Sequence, residues 1–302
     1  MRRNLTFVAM KPLLDRVPTE ADAILAPCRV VRGEPVLAPV LFASPHSGST
    51  YPSAMQRRLQ VPQIDLRRTE DAFVDQLFSS ASQQGATLVA ANYARSYVDL
   101  NRDARELDAS MFSDGLPRTS GAPSARVRAG LGCLPRIGAS GREIYAAQLS
   151  RAEGAHRLDH VYDGYHGTLT AELEHLQRDW ADIVLVDCHS MPSVQPGRSG
   201  LPDIVLGDRF GSSCTGRLTG IAERIFRRLG LSVTRNAPYA GGYTTRRYGR
   251  PRRGVHVLQI EINRSLYMDE RQVEKTSRFE PLQVILTDVI SEIIAFSLRE
   301  NG

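Results

Sequence analysis

The chain has 302 residues, of which 42% are hydrophobic and 24% are charged. These proportions are those of an ordinary folded protein, and they exclude a disordered tail protein, a coiled coil and a collagen-like chain. The net charge is +5, and arginine supplies almost all of the positive charge because Lys11 and Lys275 are the only lysines. The arginines are scattered rather than gathered along one helix or arm, so we expect small acidic partners and not nucleic acid.

The sequence predicts neither export nor membrane insertion. The first thirty residues lack a sustained apolar segment, and apolar runs such as residues 36–43 are too short to span a bilayer. We therefore expect a cytoplasmic protein, and no pattern in the sequence sets an oligomeric state. Four cysteines without CxxC spacing predict reduced thiols rather than a zinc knuckle or a disulfide framework: Cys28, Cys133, Cys188 and Cys214.

In chain order, residues 1–35 have no periodic pattern and predict an N-terminal arm. Strand and helix patterns then alternate, which predicts a single α/β domain over residues 36–302 with a mostly parallel sheet. Residues 103–142 are rich in Arg, Gly, Ser and Pro and predict a long surface loop over a substrate. The predicted strands are 36–43, 86–91, 183–186, 203–206 and 255–262, with an extended stretch at 97–100. The predicted helices are one capped by Thr69 and those over 143–179, 218–229 and 282–298.

Two histidines follow predicted strands. His46 comes just after the first strand, and His189 comes three residues after the end of the strand at 183–186. In parallel α/β sheets, ligands bind in the crevice beyond the carboxyl ends of the strands, so His46 and His189 predict a metal site. Four other histidines lie in the predicted long helix without the glutamate of an HExxH motif, and we interpret them as structural or solvent-facing: His156, His160, His166 and His175.

A catalytic zinc ion takes three protein ligands and leaves one position to water, so two histidines need a carboxylate beside them. The candidates are Glu70 and Asp71, with Asp75 on the same helix face as Asp71. The alternative is that these acids only favour the positive end of a helix. Zinc is the favoured ion, although manganese and iron also accept such a mixture of nitrogen and oxygen ligands.

Glu261 lies within an otherwise apolar strand pattern, so its charge needs a partner or a function. We predict that Glu261 is a general base, and the alternative is a structural ion pair with a buried arginine such as Arg264. Nucleophilic catalysis is less favoured because the sequence has no GxSxG motif. Cys188 and His189 are neighbours on an extended chain, where adjacent side chains point in opposite directions.

Arginines at loop positions suit substrate carboxylates, because a guanidinium binds a carboxylate through two hydrogen bonds. Arg102 follows the second strand pattern, with Asn101 beside it and Arg95 seven residues earlier. The alternative for each arginine alone is a surface residue without a ligand. Further candidates for a second carboxylate lie in loop-like regions: Arg136 and Arg246 or Arg247.

The order of several short motifs resembles the N-formylglutamate amidohydrolase family over about residues 38–270. The motifs are SPHSG at 44–48, DxxVD at 71–75, DLNR at 99–102, DCHSMPS at 187–193, PDIVLG at 202–207, GGYTT at 241–245 and QIEIN at 259–263. Each motif is short, but their joint order is specific.

The resemblance implies a three-layer αβα fold with a mostly parallel or mixed sheet, similar to zinc carboxypeptidases and aspartoacylase-type deacylases. It implies that Asn101 and Arg102 receive the substrate carboxylate, that Arg95 polarises the scissile carbonyl and that Glu261 is catalytic. The sequence departs from the His-x-x-Glu metal motif of those enzymes, since Ser49 stands three residues after His46.

The implied reaction is a zinc-dependent hydrolysis of N-formyl-L-glutamate, or of a related N-acyl acidic amino acid, to L-glutamate and formate in histidine breakdown. Two alternatives belong to other classes of protein. One is a carboxylate- or metal-binding protein that keeps the fold without turnover, and the other is a basic protein associated with RNA.

Overall fold

The computed structural model describes residues 25–195, 197 and 200–302, so most of the predicted N-terminal arm lies outside the described residues. The strands are β1 (Cys28–Val31), β2 (Val40–Ser44), β3 (Thr87–Ala91), β4 (Ile183–Met191), β5 (Ile204–Gly207), β6 (Val233–Arg235), β7 (Val255–Asn263), β8 (Met268–Asp269) and β9 (Glu274–Lys275). The helices are α1 (Ser53–Gln56), α2 (Gln63–Arg67), α3 (Val74–Leu77), α4 (Ser80–Gln83), α5 (Ala125–Arg128), α6 (Arg151–His156), α7 (Asp163–Asp179), α8 (Gly216–Arg228), α9 (Tyr243–Tyr248) and α10 (Phe279–Asn301).

Seven of these strands form one mixed sheet in the order β1-β3-β2-β4-β7-β5-β6. The central strands β3, β2, β4 and β7 are parallel to one another, whereas β1 pairs antiparallel with β3 and β5 pairs antiparallel with β7. The sheet confirms the predicted α/β class. The first strand of the sheet, β1, comes from the segment predicted as an arm. It has only four residues, too few to show a periodic pattern, and it becomes a strand through its pairing with β3.

Hydrophobic cores lie on both faces of the sheet and give the molecule three layers. Along β2 the side chains alternate, so Val40 and Phe42 face one core while Leu41 and Ala43 face the other. Helices α3, α4, α8 and α10 cover the first face, and α7 covers the second. Burying a side chain the size of Val40, Leu41 or Phe42 stabilises the fold by roughly 1.5–3 kcal/mol.

Helix α10 closes the first face. Within the described chain it is the one helix long and apolar enough to cross a membrane by length and composition. Its residues Leu286, Ile290 and Ile293 are fully buried in the core, and the helix contacts α3, α4 and α8. We therefore interpret its apolar composition as that of a core helix.

The helix predicted from Thr69 is wrong in its start and its length. The Thr69 hydroxyl donates a hydrogen bond back to the Leu66 carbonyl at 2.6 Å instead of capping the following turn. Phe73 then adopts the left-handed conformation with φ of 66°, which side chains rarely take. Only the short helices α3 and α4 follow, so residues 69–73 form an irregular turn, and this turn contains Glu70 and Asp71.

Two other predicted boundaries also differ. The helix predicted over 143–179 begins at α6, where the Ser150 hydroxyl accepts a hydrogen bond from the Glu153 amide at 3.1 Å, and it continues through a π-helical turn at Arg157–Tyr162 into α7. The stretch predicted as extended at 97–100 forms no strand, and it follows a turn that the Tyr97 amide closes by donating to the Ala94 carbonyl at 2.9 Å. Residues 103–142 are largely irregular as predicted, with α5 as their α-helix.

Candidate active site

The central strands bring the polar motifs to one edge of the sheet. Strand β4 continues to Met191, so His189 lies within the strand and not on a loop after it. In the parallel register of β4 and β7, His189 is opposite Glu261, and Asp187 is opposite Gln259. Because side chains two residues apart share a face, these four side chains point to the same side of the sheet. The apolar run that identifies this strand in the sequence ends at Val186, because beyond it β4 carries polar side chains that belong to the site.

Three of these buried side chains form a cluster that could hold a metal ion. One nitrogen or oxygen atom from each of His46, Asp71 and His189 lies within 4.8 Å of the others. Asp71 Oδ2 is 3.3 Å from His46 Nδ1 and 2.9 Å from His189 Nδ1. The two measured separations are close to the roughly 3.3 Å between the ligand atoms of a tetrahedral ion with bonds near 2 Å.

Each histidine has a carboxylate within 3.0 Å of its other ring nitrogen. His46 Nε2 is 2.7 Å from Asp99 Oδ1, and His189 Nε2 is 3.0 Å from Asp187 Oδ1 and 3.1 Å from Asn101 Nδ2. Such outer carboxylates fix the ring and leave the Nδ1 lone pair for a metal. We did not predict these roles for Asp99 and Asp187 from the sequence. The spacing of Asp187 and His189, two residues apart on a strand, is a signal that could have found the second pair.

Asp71 is held as a carboxylate by groups on both of its oxygens. Arg264 Nη2 is 3.0 Å from Asp71 Oδ1, which leaves Oδ2 for the histidines. Although burial opposes it, the contacts with His189 and His46 hold the pKa of Asp71 well below its usual range. The structure therefore pairs Arg264 with Asp71, and not with Glu261 as in the structural alternative.

The other acids near Asp71 point elsewhere. Glu70 accepts a hydrogen bond from the Tyr51 hydroxyl, and burial raises the pKa of Glu70 to about 7. Asp75 forms an ion pair with Arg29. Of the two carboxylates that the sequence leaves open, only Asp71 belongs to the cluster among the described residues.

Glu261 is buried beside the cluster without a cationic partner. Its side chain accepts a hydrogen bond from Gln259 Nε2 at 2.7 Å, and no arginine, lysine or histidine of the described chain forms an ion pair with it. Burial raises the pKa of Glu261 to about 7, against the lowering effect of nearby His189. A carboxylate with this environment is suited to accept and release a proton near neutral pH.

The cluster and Glu261 line a cavity of about 640 Å³, a usual size for a small-molecule site. Arg95 and Arg102 also line it. Arg95 forms an ion pair with Asp99 at 2.8 Å; although burial alone would lower its pKa, Asp99 and the other nearby carboxylates raise it, so Arg95 stays charged.

Asn101 and Arg102 both line the cavity, but their side chains make different contacts. The Asn101 amide oxygen accepts hydrogen bonds from the Thr244 amide at 2.8 Å and hydroxyl at 3.1 Å. A Cβ at Gly242 would collide with the Asn101 amide, so this close approach requires glycine. Arg102 donates to the carbonyls of Asn101 and Leu131 at 3.0 and 3.3 Å and keeps further N–H groups for a ligand.

The structure does not bring the remaining arginine candidates to the cavity lining. Arg136 forms ion pairs with Asp108 and Glu143, and Arg246 forms one with Asp103. Neither arginine is among the described residues that line the cavity. We therefore do not retain Arg136 and Arg246 as the second carboxylate site, because both form ion pairs with carboxylates of the chain away from the cavity.

The four helical histidines do not join the cluster. His166 is buried, with Nδ1 2.9 Å from the Tyr248 hydroxyl and Nε2 3.0 Å from the Leu100 carbonyl. His160 Nε2 is 3.0 Å from the Leu25 carbonyl, whereas His156 and His175 are exposed. This distribution agrees with their interpretation as structural or solvent-facing residues.

An α/β sheet that brings a His–Asp–His cluster and an unpaired buried glutamate into one cavity is the arrangement of a hydrolytic enzyme. A family model described as N-formylglutamate amidohydrolase matches residues 38–268. The chain belongs to the N-formylglutamate amidohydrolase family, as the sequence motifs predict.

Individual relatives agree with this assignment. The chain is 31% identical to an N-formylglutamate deformylase of Pseudomonas putida over 268 residues, which cover 85% of this chain and 93% of the relative. It is 30% identical to the N-formylglutamate deformylase of Pseudomonas aeruginosa, with the same coverage of 85% and 93%. The crystal structure of N-formylglutamate amidohydrolase from Ralstonia eutropha JMP134 superposes with a TM-score of 0.86 at 34% identity, covering 91% of this chain and all of the other.

Proposed function

We propose that the protein hydrolyses the amide bond of N-formyl-L-glutamate to formate and L-glutamate with the help of a divalent ion, zinc first. The observation that carries this proposal is the unpaired, buried Glu261 beside the His46–Asp71–His189 cluster in an arginine-lined cavity. The substrate comes from the family and from the activity for which its Pseudomonas relatives are named. A place in histidine breakdown and a cytoplasmic location stay predictions.

An unpaired nitrogen in the cluster supports the binding of a metal ion by these residues. His46 Nδ1 is buried and has no hydrogen-bond partner among the described residues, although it faces Asp71. Leaving such a nitrogen unpaired costs about 1–3 kcal/mol, a cost that a metal bond would remove. An ion held by His46, Asp71 and His189 supplies Lewis-acid polarisation of the formyl carbonyl and a more acidic water.

The chain's own residues then account for the proton transfers. Glu261 takes a proton from the attacking water as the water oxygen bonds to the formyl carbon. When the C–N bond breaks, Glu261 passes that proton to the leaving nitrogen, so formate and the amine of glutamate result. Arg95 lines the same cavity and stabilises negative charge that develops on the carbonyl oxygen, while Arg102 holds a substrate carboxylate.

The test is the release of free amine from a panel of N-formyl and N-acetyl amino acids by the purified protein loaded with zinc. We expect N-formyl-L-glutamate to be hydrolysed best, with activity lost to a chelator and restored by zinc. No turnover of any acidic substrate would contradict the proposal. Metal uptake without turnover is the outcome that a binding protein predicts, and salt-sensitive retention by RNA is the outcome that an RNA-associated protein predicts.

A further inference from the structure

The arginines of the cavity differ in what their guanidinium groups contact. Most are held by protein oxygens: Arg264 by Asp71 at 3.0 Å, Arg95 by Asp99 at 2.8 Å, Arg102 by the Asn101 carbonyl at 3.0 Å and Arg68 by the Arg271 carbonyl at 2.9 Å. The remaining one, Arg126, forms no side-chain hydrogen bond or ion pair with any residue that the structure describes. Arg126 is thus the arginine of this cavity whose guanidinium N–H groups are all free of partners among the described residues, whereas Arg102 keeps only part of its N–H groups for a ligand.

Arg126 lies on α5, within the irregular segment 103–142, and this helix is fixed in place. The Ser124 hydroxyl caps α5 by accepting a hydrogen bond from the Val127 amide at 3.2 Å, and Val127 is buried. The following residues are bound to the turn that carries Arg102, since Leu131 O accepts from Arg102 Nε at 3.3 Å. The Asp99 amide donates to the Cys133 carbonyl at 2.8 Å. These contacts hold Arg126 at the cavity beside Arg102.

The neighbourhood of the two arginines favours a ligand with two negative charges. Burial first and then the charge of Arg102 lower the pKa of Arg126, against the raising effect of the carboxylates of Glu106 and Asp99, so Arg126 lies within the electrostatic reach of Arg102. Arg102 and Arg126 line one cavity, and no carboxylate of the described residues pairs with Arg126. A dicarboxylate would place one negative group on each guanidinium.

We propose that Arg126 is the specificity-determining residue for the side-chain carboxylate of the substrate, while Arg102 holds the α-carboxylate. This inference rests on the proposed hydrolysis of an N-acyl acidic amino acid, and it names the group that separates glutamate from its neutral analogues. It also gives segment 103–142 a role, which is to bring a second guanidinium over the site.

The experiment compares N-formyl-L-glutamate with its near-isosteric amide, N-formyl-L-glutamine, in the wild type, Arg126→Ala, Arg126→Lys and Arg128→Ala. Arg128 is the control because it lies on the same helix but donates to the Pro123 carbonyl and does not line the cavity. In Arg126→Ala, kcat/KM for the glutamate substrate should fall by roughly ten- to a hundredfold, mainly through KM, the effect of losing a charge-assisted hydrogen bond. The value for the glutamine substrate should change by less than about threefold, and Arg126→Lys should fall between.

A calorimetric measurement of L-glutamate and L-glutamine binding to the same zinc-loaded proteins gives a readout without turnover. The inference predicts that the wild type and Arg128→Ala prefer glutamate and that Arg126→Ala does not. A wild type without hydrolysis contradicts the proposed function, while the binding data still decide the role of Arg126. Hydrolysis with an unchanged glutamate preference in a folded Arg126→Ala variant overturns the Arg126 assignment alone, and so does a wild type that shows no preference in either measurement.

Discussion

At the scale of single residues, the account depends on Glu261 as a proton carrier. Glu261→Gln keeps the shape and the hydrogen bond with Gln259 but cannot accept a proton. We expect kcat to fall by about two to four powers of ten, because a positioned general base contributes that much. Zinc content and the midpoint of thermal unfolding should stay at wild-type values. A variant that loses stability but keeps its turnover per folded molecule would make Glu261 a structural residue.

Arg102 provides the second prediction at this scale. Arg102→Lys keeps the positive charge but loses the planar fork that binds a carboxylate through two hydrogen bonds. KM for N-formyl-L-glutamate should rise by an amount equivalent to about 1–3 kcal/mol, while kcat changes less. Steady-state kinetics measure both values. Arg57→Lys is the matched control, because Arg57 is an exposed residue at the end of α1. An unchanged KM would move the α-carboxylate site away from Arg102.

The sequence could predict some of the site residues but not choose among others. His46, His189 and Glu261 stand out because polar side chains end or interrupt apolar strand patterns. The choice between Glu70 and Asp71 depends on a turn with an unusual backbone conformation at Phe73, which no periodic pattern reveals. Arg126 carries no signal at all, since its place beside Arg102 arises from long-range hydrogen bonds of an irregular segment.

At the scale of elements, the buried strands are the most predictable part. The apolar, β-branched runs of β4 and β7 identify them, whereas their polar ends become strand only through the nine-residue pairing between them. The acids after Thr69 look like a helix start, but Phe73 breaks that helix. Tertiary contacts therefore set the element boundaries, and these boundaries are where the site residues lie.

Helix α7 gives a prediction about pH through His166. Burial lowers the pKa of His166 to about 3, while the unfolded value is about 6.5. Below pH 6.5 the unfolded chain binds a proton that the folded protein refuses, so stability is lost as the pH falls. Between pH 8 and pH 5 this loss amounts to about 2 kcal/mol.

Urea unfolding of the wild type and His166→Gln at pH 8 and pH 5 checks this expectation. The stability of the wild type relative to the variant should be about 2 kcal/mol lower at pH 5 than at pH 8. His175→Gln is the control, because His175 is exposed on the same helix. A relative stability that does not change with pH would mean that His166 is not buried as a neutral ring.

At the scale of the whole molecule, two cores sandwich the sheet and hold the site rigid at its edge. Helix α10 belongs to the first core, so Ile290→Ala should lower the free energy of unfolding by about 2–5 kcal/mol through lost burial and a new cavity. Val284→Ala on the same helix is the control, since Val284 is 66% exposed and should cost little. Equal effects of the two substitutions in urea unfolding would show that α10 does not pack as described.

The central claim is that His46, Asp71 and His189 hold a divalent ion, and the zinc content of purified variants tests it most directly. We expect about one zinc ion per chain in the wild type, and large losses in His46→Ala, His189→Ala and Asp71→Asn. Glu70→Gln is the matched control, because its carboxylate is adjacent in sequence but bound to Tyr51. Elemental analysis that finds full zinc occupancy in both histidine variants, or a loss confined to Glu70→Gln, would contradict the account.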